Sequence, residues 1–316
     1  MRDDPDQIAK LRTSPDEVLW LLGQPHLSDY LDFVKHNVVG GAAMCPRLLT
    51  DEWRAANDLY YDLEEQEAGT ADTIERLPID PALQPLVDQV VASPHYRNTF
   101  DTMPMAIEMV ELDKLIVSQT HVTASFAERR AAKLGRKPSA EALFRYCQPL
   151  ERDLPPVRVE KSDEDKWIIS SESTDLRPQA PLLVPAHVLE PQSSGPIAAA
   201  VALIVGFGSN LLTAIRSDDR LVLHNGYHRA YSLRSLGITH APCFVETVTR
   251  KDELRVAATE KVSDDPEFYF RAKRPPLLKD FFDPRLARRH PVRPRRAVVQ
   301  LEFTLRKSYF VEAELP

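Results

Sequence analysis

The stretch RLVLHNGYHRAYSLRSLGITHAPCFVE, residues 220–246, carries the clearest secondary-structure pattern in this chain. Its first apolar residues predict a strand, and the pair Asn225-Gly226 predicts a turn. The run that follows has the spacing of an amphipathic helix and ends at Gly237, a residue type favoured at helix C-termini. The last residues predict another strand. The pattern therefore predicts strand, glycine turn, helix and strand, with a glycine at the point where strand gives way to helix.

The residues of this turn have the chemistry of an anion site; they are Asn225, Gly226, Tyr227, His228 and Arg229. A helix start presents free backbone N–H groups and the positive end of the helix dipole, so it attracts phosphate. An arginine fork donates two parallel hydrogen bonds to phosphate, and a histidine donates, accepts or shuttles a proton near neutral pH. On spacing alone a second interpretation stays open, in which Asn-Gly is only a tight turn and the His-Arg pair is solvated helix surface.

Two segments resemble the ParB/sulfiredoxin superfamily, as a ParB N-terminal-like domain. Residues 220–246 are similar to its pattern of a strand, G-x-[HR]-R, an apolar helix ending in Leu-Gly, and a strand entered through a proline. The segment VELDKLIVSQTHV, residues 110–122, resembles the opening strand of such domains. The resemblance implies a ParB/sulfiredoxin-like mixed-sheet core with a long insertion at 105–250. Helical signals at 1–104 and a C-terminal extension at 251–316 complete an expected α+β fold in three parts.

The superfamily includes CTP-binding chromosome-partition proteins, sulfiredoxins and a free-serine kinase, so the resemblance implies nucleotide phosphate binding more strongly than any one reaction. Two departures from the superfamily pattern narrow the range of reactions that the resemblance implies. Tyr227 stands where sulfiredoxins carry a cysteine, which disfavours sulfinic-acid reduction. Asn225 stands where the kinase branch carries an aspartate, which weakens kinase chemistry unless Glu111 or Asp113 from the opening strand supplies a carboxylate.

We therefore expect a nucleotide or another phosphorylated ligand at Asn225 to Arg229, with His121 facing this corner from the opening strand. Phosphoryl transfer or nucleotide hydrolysis there would use Arg229 to stabilise charge, His228 as hydrogen-bond donor or acid/base, and Glu111 as the carboxylate. A nucleoside triphosphate would bring Mg²⁺, because closely spaced phosphates need charge neutralisation. The sequence has no HExxH motif and no clustered His and Cys, so we expect no metal site built from protein ligands alone.

An arginine cluster in the C-terminal region favours a different class of function. Its members are Arg285, Arg288, Arg289, Arg293, Arg295 and Arg296. They predict a non-catalytic module that binds nucleic acid or a protein through Arg285 to Arg296, or equally a solvated linker that pairs with acidic residues. The net charge of -7 argues against nucleic-acid binding by the whole molecule. A single predicted helix after Thr249 also disfavours the helix-turn-helix DNA reader of partition proteins.

Helical signals dominate the N-terminal region. SPDEVLWLLG predicts a helix with Ser14 as N-cap and Pro15 in the first turn. Further helices are predicted at 28–36, 51–66 and 81–92. In the second of these, bulky residues recur at helical spacing: Trp53, Leu59, Tyr60 and Leu63. We interpret them as core packing rather than a ligand box.

The remaining segments complete the prediction. Residues 125–150 predict helices broken at GRKPS, 157–171 a β-hairpin, and 297–314 two strands. The apolar run Ile197 to Val205 falls far below the roughly 20 residues that cross a bilayer, so we predict a buried segment and no membrane span. The N-terminus MRDDPDQ lacks a secretory signal and the three cysteines show no CxxC spacing, which predicts a cytoplasmic protein.

Overall fold

The structure, a computed structural model, describes residues 15–24, 26–100, 102–151, 154–189 and 195–307. It is a mixed α+β protein that contains a mixed sheet. Three sequence predictions concern residues outside these ranges: the N-cap Ser14, the segment MRDDPDQ and the end of the C-terminal strands at 308–314.

The strands and helices are numbered in chain order. The strands are β1 Asp16–Leu21, β2 Arg76–Pro78, β3 Met105–Glu111, β4 Ile116–Val117, β5 His121–Thr123, β6 Val157–Asp163, β7 Lys166–Ser171, β8 Leu176–Pro178, β9 Leu182–Val184, β10 Ala200–Ala202, β11 Val205–Phe207, β12 Thr213–Ser217, β13 Arg220–Asn225, β14 His240–Thr247, β15 Ala287–Val292 and β16 Ala297–Glu302. The helices are α1 Leu27–Asn37, α2 Pro46–Gln66, α3 Gln84–Ala92, α4 Pro94–Thr99, α5 Ala124–Leu134, α6 Ala140–Cys147, α7 Ala186–Leu189, α8 Tyr227–Ser235, α9 Lys251–Ala257, α10 Glu260–Asp264 and α11 Pro266–Phe270.

The chain divides into two compact units. The first unit combines Met1–Arg152 with Ser209–Pro294, and the second combines Asp153–Gly208 with Arg295–Pro316. The second unit contains small antiparallel sheets with strand orders β16-β7-β6, β10-β9 and β11-β8. The first unit therefore draws residues from all three regions assigned from the sequence, and the long insertion within residues 105–250 supplies most of the second.

A six-stranded mixed sheet of order β2-β3-β14-β12-β13-β4 organises the first unit. Strands β12 and β13 form an antiparallel hairpin, and each also has a parallel neighbour, β14 for β12 and β4 for β13. Helix α8 begins after Gly226 and connects β13 to β14. The predicted succession of strand, glycine turn, helix and strand is confirmed.

Apolar side chains bury both faces of this sheet. Leu221 and Leu223 of β13 belong to the cluster that also contains Ala127 of α5 and Leu233 of α8, whereas Val222 between them belongs to the cluster shared with α9 to α11. Successive strand residues point to opposite faces, so β13 contributes to two cores at once. The corner at the end of β13 is thereby held between buried layers.

The segment SPDEVLWLLG forms the strand β1 rather than the predicted helix. This strand lies between β15 and β5 in a three-stranded antiparallel sheet. Leu19 and Leu21 belong to one buried cluster while Val18 and Trp20 belong to another, so both faces of β1 are covered. A strand buried on both faces appears in the sequence as a continuous apolar run, which has no period to distinguish it from a helix. Its partner strands are distant in the chain, so local signals did not reveal the pairing.

Two predictions about later segments are wrong. In the described part of the C-terminal region, the short helices α9, α10 and α11 follow Thr249 instead of one helix, and the Asp265 side chain caps the last of them. The run Ile197 to Val205 is not a buried segment, since it contains β10 and the start of β11, and both Val201 and Leu203 are exposed. Strand β10 pairs with β9 in a two-stranded sheet, which is too small to cover its apolar side chains.

The other helix and hairpin predictions are confirmed. Helices α1, α2 and α3 occupy the predicted N-terminal helical segments, α5 and α6 lie on either side of GRKPS, and β6 with β7 forms the predicted hairpin. In the part of the chain that the structure describes, no helix is both long enough and apolar enough to cross a membrane.

His290 makes the stability of the first unit depend on pH. It is 3% exposed, and its Nε2 lies 3.2 Å from the hydroxyl oxygen of Tyr30. Burial, with a smaller contribution from Arg288, lowers the pKa of His290 to about 4. An unfolded histidine titrates near a pKa of about 6.5, so between these two values the unfolded chain binds a proton that the folded chain does not. Stability is therefore complete above the unfolded pKa and is lost as the pH falls toward the folded pKa.

We expect this loss in urea denaturation of the wild type and the His290→Gln variant at about pH 7 and about pH 5. The wild type should lose about 1–2 kcal/mol more unfolding free energy than the variant between these conditions. Glutamine keeps a hydrogen-bonding group beside Tyr30 but has no proton to gain. An equal loss in the two proteins would contradict the assignment to His290.

Candidate functional site

Gly226 sets the geometry of the corner between β13 and α8. Its φ of 97° lies in the left-handed region, which L side chains rarely adopt. A Cβ added to Gly226 would stand 2.6 Å from Leu212 Cδ1, so the close approach also requires glycine. Arg229 and Ala230 donate their N–H groups to the Gly226 carbonyl, each at 2.9 Å, which starts the helix. The N–H groups nearer the helix start have no partner inside the helix and are the donors available to a ligand.

Asn225 anchors the wall of this corner. Its Nδ2 donates to the carbonyl oxygens of Ser209 at 2.7 Å and Leu211 at 3.0 Å. Both bonds fix the segment that leads into β12, next to a β-bulge between Thr213 and Ala214. The amide hydrogens of Asn225 are thus used within the protein, which gives this predicted ligand contact a structural role.

Tyr227 also points into the protein. Its hydroxyl donates to the Leu223 carbonyl at 2.5 Å and accepts from the Ser118 N–H at 3.2 Å. The Ser118 hydroxyl oxygen lies 2.9 Å from the same phenol oxygen. Burial raises the pKa of Tyr227. The phenol therefore connects the end of β4 to β13 and is not directed at a ligand.

Arg229 requires a correction, because its side chain is 4% exposed and points into the interior. Its Nη1 donates to the Cys147 carbonyl at 2.7 Å, and its Nη2 donates to Asn210 Oδ1. These bonds hold the end of α6 and the segment before β12 against α8. The predicted phosphate-binding fork is used within the protein, since a buried guanidinium must replace its hydration with protein acceptors.

His228 is held as a neutral ring. Its Nε2 accepts a hydrogen bond from the Thr123 N–H at 3.0 Å, which assigns the ring hydrogen to Nδ1. Burial, with smaller contributions from the nearby His121, Arg130 and Arg229, lowers the pKa of His228 to about 4. Because Nε2 is engaged and the ring is neutral at pH 7, the predicted acid/base role is replaced by hydrogen-bond donation from Nδ1.

His121 lies on β5, beside His228. Its ring stacks on Trp20, with the centroids 5.3 Å apart and the planes 6° from parallel. His121 is two residues before Thr123 on the same strand, and the Thr123 N–H donates to His228 Nε2 at 3.0 Å. The first-strand segment and the helix start therefore meet at this corner.

Glu111 does not belong to the corner. It pairs with His240 at the start of β14, whereas Phe244, four positions further along β14, pairs with Thr213 beside Asn225. At about 3.3 Å per residue, Glu111 lies roughly 13 Å from the level of the corner. Its carboxylate also accepts from the Glu75 N–H at 2.9 Å and pairs with Lys114 at 3.1 Å. The predicted catalytic carboxylate is therefore at the opposite end of α8.

The structure reveals one residue that sequence reasoning missed, Arg130 on α5. Its guanidinium lies over the ring of Phe126, 5.7 Å from the centroid, and over that of Tyr146 at 5.0 Å. The edge of the Phe126 ring also meets His228, with centroids 5.4 Å apart. Within the described ranges no carboxylate forms an ion pair with Arg130, and its buried Nε has no hydrogen-bond partner.

The spacing of Phe126 and Arg130, four residues apart on a helix, was a readable signal for this pair. Tyr146 comes from α6 and His228 from α8, so the complete group exists only after folding. Arg130 is thus a cation beside the start of α8 whose charge is not neutralised by a carboxylate among the described residues. This is the arrangement that an anion would satisfy.

Unlike Arg130, the first three arginines of the C-terminal cluster form ion pairs. Arg285 pairs with Asp283 at 2.7 Å, Arg288 with Glu52 at 3.5 Å, and Arg289 with Glu17 at 2.7 Å and Glu128 at 3.0 Å. These three arginines pair with acidic residues, as expected if the cluster interacts with acidic residues of the same chain rather than with nucleic acid. Arg285 precedes the paired strand β15, and Arg288 and Arg289 lie within it, so these three residues do not form a separate arm.

No group of three or more His, Cys, Asp and Glu side chains among the described residues could hold a metal ion. Comparison with protein-family models, with curated proteins and with solved structures found no match. The interpretation of the corner therefore rests on its geometry.

Substitution of Gly226 by alanine tests the close approach at the corner. We expect Gly226→Ala to lower the unfolding free energy by about 2–4 kcal/mol, from the unfavourable φ and the clash with Leu212. Gly237→Ala is the matched control, because Gly237 has a φ of 81° but an added Cβ would meet no atom within 4 Å. It should lose only about 1 kcal/mol in the same urea titration. Equal losses would show that the packing against Leu212 is unimportant.

If Arg229 holds the fold together, its removal should lower the unfolding free energy even when no ligand is present, whereas removal of a ligand contact should not. Arg229→Ala should destabilise the protein by about 2–4 kcal/mol without any ligand, because the Cys147 carbonyl and Asn210 lose a buried partner. Arg234→Ala, on the same helix, removes a partly exposed pair with Asp113 and should cost at most about 1 kcal/mol. Chemical denaturation of both variants measures the difference, and an Arg229→Ala protein as stable as wild type would refute the role.

Proposed function

We propose that the start of α8 binds the phosphate group of a nucleotide or another phosphorylated ligand, in a core related to the ParB/sulfiredoxin superfamily. The observation that carries the proposal is Arg130, a guanidinium held by two rings beside the first turn of the helix. A helix start attracts anions through its free N–H groups and its dipole, and an arginine without a carboxylate partner adds a full charge.

The arrangement of elements supports the relation to the superfamily. Strand β13, Gly226, α8, Gly237 and β14 follow one another in the order that the resemblance implies. The opening segment also lies in the first unit, where its strand β4 pairs in parallel with β13. The segment between the two motif pieces contributes to the second unit, which is consistent with an insertion into a core of this kind.

The residues around the corner suit a nucleotide. Arg130 supplies the charged fork, and neutral His228 supplies a donor at Nδ1. Phe126 is 39% exposed, so its ring offers an apolar surface on which a base or another planar group can stack. The corner thus combines a phosphate-binding end with an aromatic surface.

We propose binding rather than turnover. Glu111, the carboxylate predicted for catalysis, lies at the other end of α8, and the Nε2 lone pair of His228 is already used. If the ligand is a nucleoside triphosphate, Mg²⁺ would be held mainly by its phosphates, as is common for this ion. The alternative function, recruitment of a nucleic acid or protein through Arg285 to Arg296, has less support, because Arg285, Arg288 and Arg289 are paired with acidic residues of the same chain.

Thermal unfolding with a panel of nucleotides and phosphorylated metabolites, each with Mg²⁺, tests the proposal. A ligand that binds the native state at about 100 times its Kd adds about 2.7 kcal/mol of stability, which raises the Tm by several degrees. We expect a compound in the panel to do this for the wild type. Arg130→Gln, which removes the charge and leaves a shorter polar side chain, should reduce that shift by most of its size.

Arg129→Gln is the matched control, since Arg129 is the next residue on α5 and pairs at 3.6 Å with Asp16. It should keep the wild-type shift. The proposal fails if no compound shifts the wild type, or if the two variants respond alike. Phosphate release should be absent with the stabilising compound, and release that requires Arg130 would assign catalysis to the corner.

A further inference from the structure

A cavity lies in the first unit, and its lining residues do not include those of the corner at the start of α8. Its volume is about 330 Å³, near the lower end for small-molecule pockets. Helix α2 supplies half of its lining residues, and Phe268 of α11 supplies another. The α2 side chains that line it are Trp53, Asn57, Tyr60, Tyr61 and Glu64. These positions are separated by four, three, one and three residues, so they share one face of the helix.

The wall of this cavity is held in place by its surroundings. Asn57 Nδ2 donates to the Gly23 carbonyl at 2.9 Å, and a Cβ added to Gly23 would stand 2.6 Å from the Asn57 nitrogen. The Tyr60 hydroxyl donates to Asp280 Oδ2 at 3.1 Å inside the core. Tyr60 therefore contributes its ring to the cavity, because its polar atom is engaged elsewhere. The aromatic wall is formed before any ligand binds.

The one carboxylate among the described residues that line the cavity is Glu64. Glu64 is partly buried, and within the described residues its carboxylate has no hydrogen bond and no ion pair. Among the described residues that line the cavity there is no Lys or Arg, and His26, the one nitrogen base among them, is exposed. Arg274 lies 5.9 Å from the centroid of Tyr60, but it is paired with Asp280 at 2.6 Å, so its charge is matched within the core. The cavity thus presents several aromatic rings and one unmatched carboxylate.

We propose that this cavity binds a methylated ammonium group. Aromatic rings attract an organic cation through their negative faces, and methyl groups fill an apolar wall better than a hydrated ammonium does. Glu64 supplies the counter-charge, while Trp53, Tyr61 and Phe268 supply the aromatic surface. The proposal is independent of phosphate binding at α8, because Arg130 is not part of the cavity lining.

Calorimetric titration of the full chain with choline and with 3,3-dimethyl-1-butanol, its uncharged isostere, tests the proposal at millimolar concentrations. Choline should bind about tenfold more tightly than the alcohol, because only choline interacts through charge. A short peptide carrying trimethyl-lysine, compared with its unmodified form, tells whether the cation is presented free or on a chain. Preference for either methylated cation over its counterpart supports the proposal.

Two variants and a matched control assign the site. Glu64→Gln should weaken binding about fivefold, whereas Glu65→Gln, at the adjacent exposed position outside the cavity, should leave it unchanged. Tyr61→Leu should weaken it about threefold, and since Tyr61 is 62% exposed, its replacement leaves the core intact. Equal binding of choline and its isostere, no binding of either methylated cation, or equal effects of the two glutamate substitutions would overturn the proposal.

Discussion

The junction between β13 and α8 is the constraint on which the first unit depends. Gly226 turns the chain with a left-handed backbone against Leu212, and the buried guanidinium of Arg229 ties the new helix to Cys147 and Asn210. A charged group removed from water needs protein acceptors in exchange. Because these acceptors belong to the end of α6 and the segment before β12, one side chain fixes three parts of the chain around the start of α8.

Around this junction, arginines that are paired within the fold differ from Arg130, which has no carboxylate partner among the described residues. Arg229 directs its donors at acceptors in the interior, and Arg289 pairs with two carboxylates at the surface. Arg130 instead lies between two aromatic rings, with no carboxylate partner among the described residues. Native structures satisfy most of their buried polar groups internally, so an unmatched charge beside a helix start is informative about function. Glu64 on α2, which forms no ion pair with a described residue, is informative in the same way.

On helix α2, bulky residues at helical spacing both pack in a buried cluster and line a cavity. The residues predicted as core packing do pack in or against a buried cluster, as Tyr60, Leu63 and their neighbours show. The same helix also turns Trp53 and Tyr60 toward a cavity, together with Glu64. Helical spacing indicates which residues share a face, but it does not distinguish a face that is filled by the protein from one that leaves room for a ligand.

The amino-acid sequence was sufficient to predict the strand, glycine turn, helix and strand around Gly226, because short-range periodicity and a glycine turn are local properties. It also determined the hairpin of β6 and β7 and the helices on either side of GRKPS. Three features depended on tertiary contacts: Asp16–Leu21 form a central strand, Arg229 points inward, and Glu111 lies away from the corner. The direction of a side chain and the pairing of a doubly buried strand depend on segments that are distant in the chain, and no local pattern encodes which of those segments will pack there.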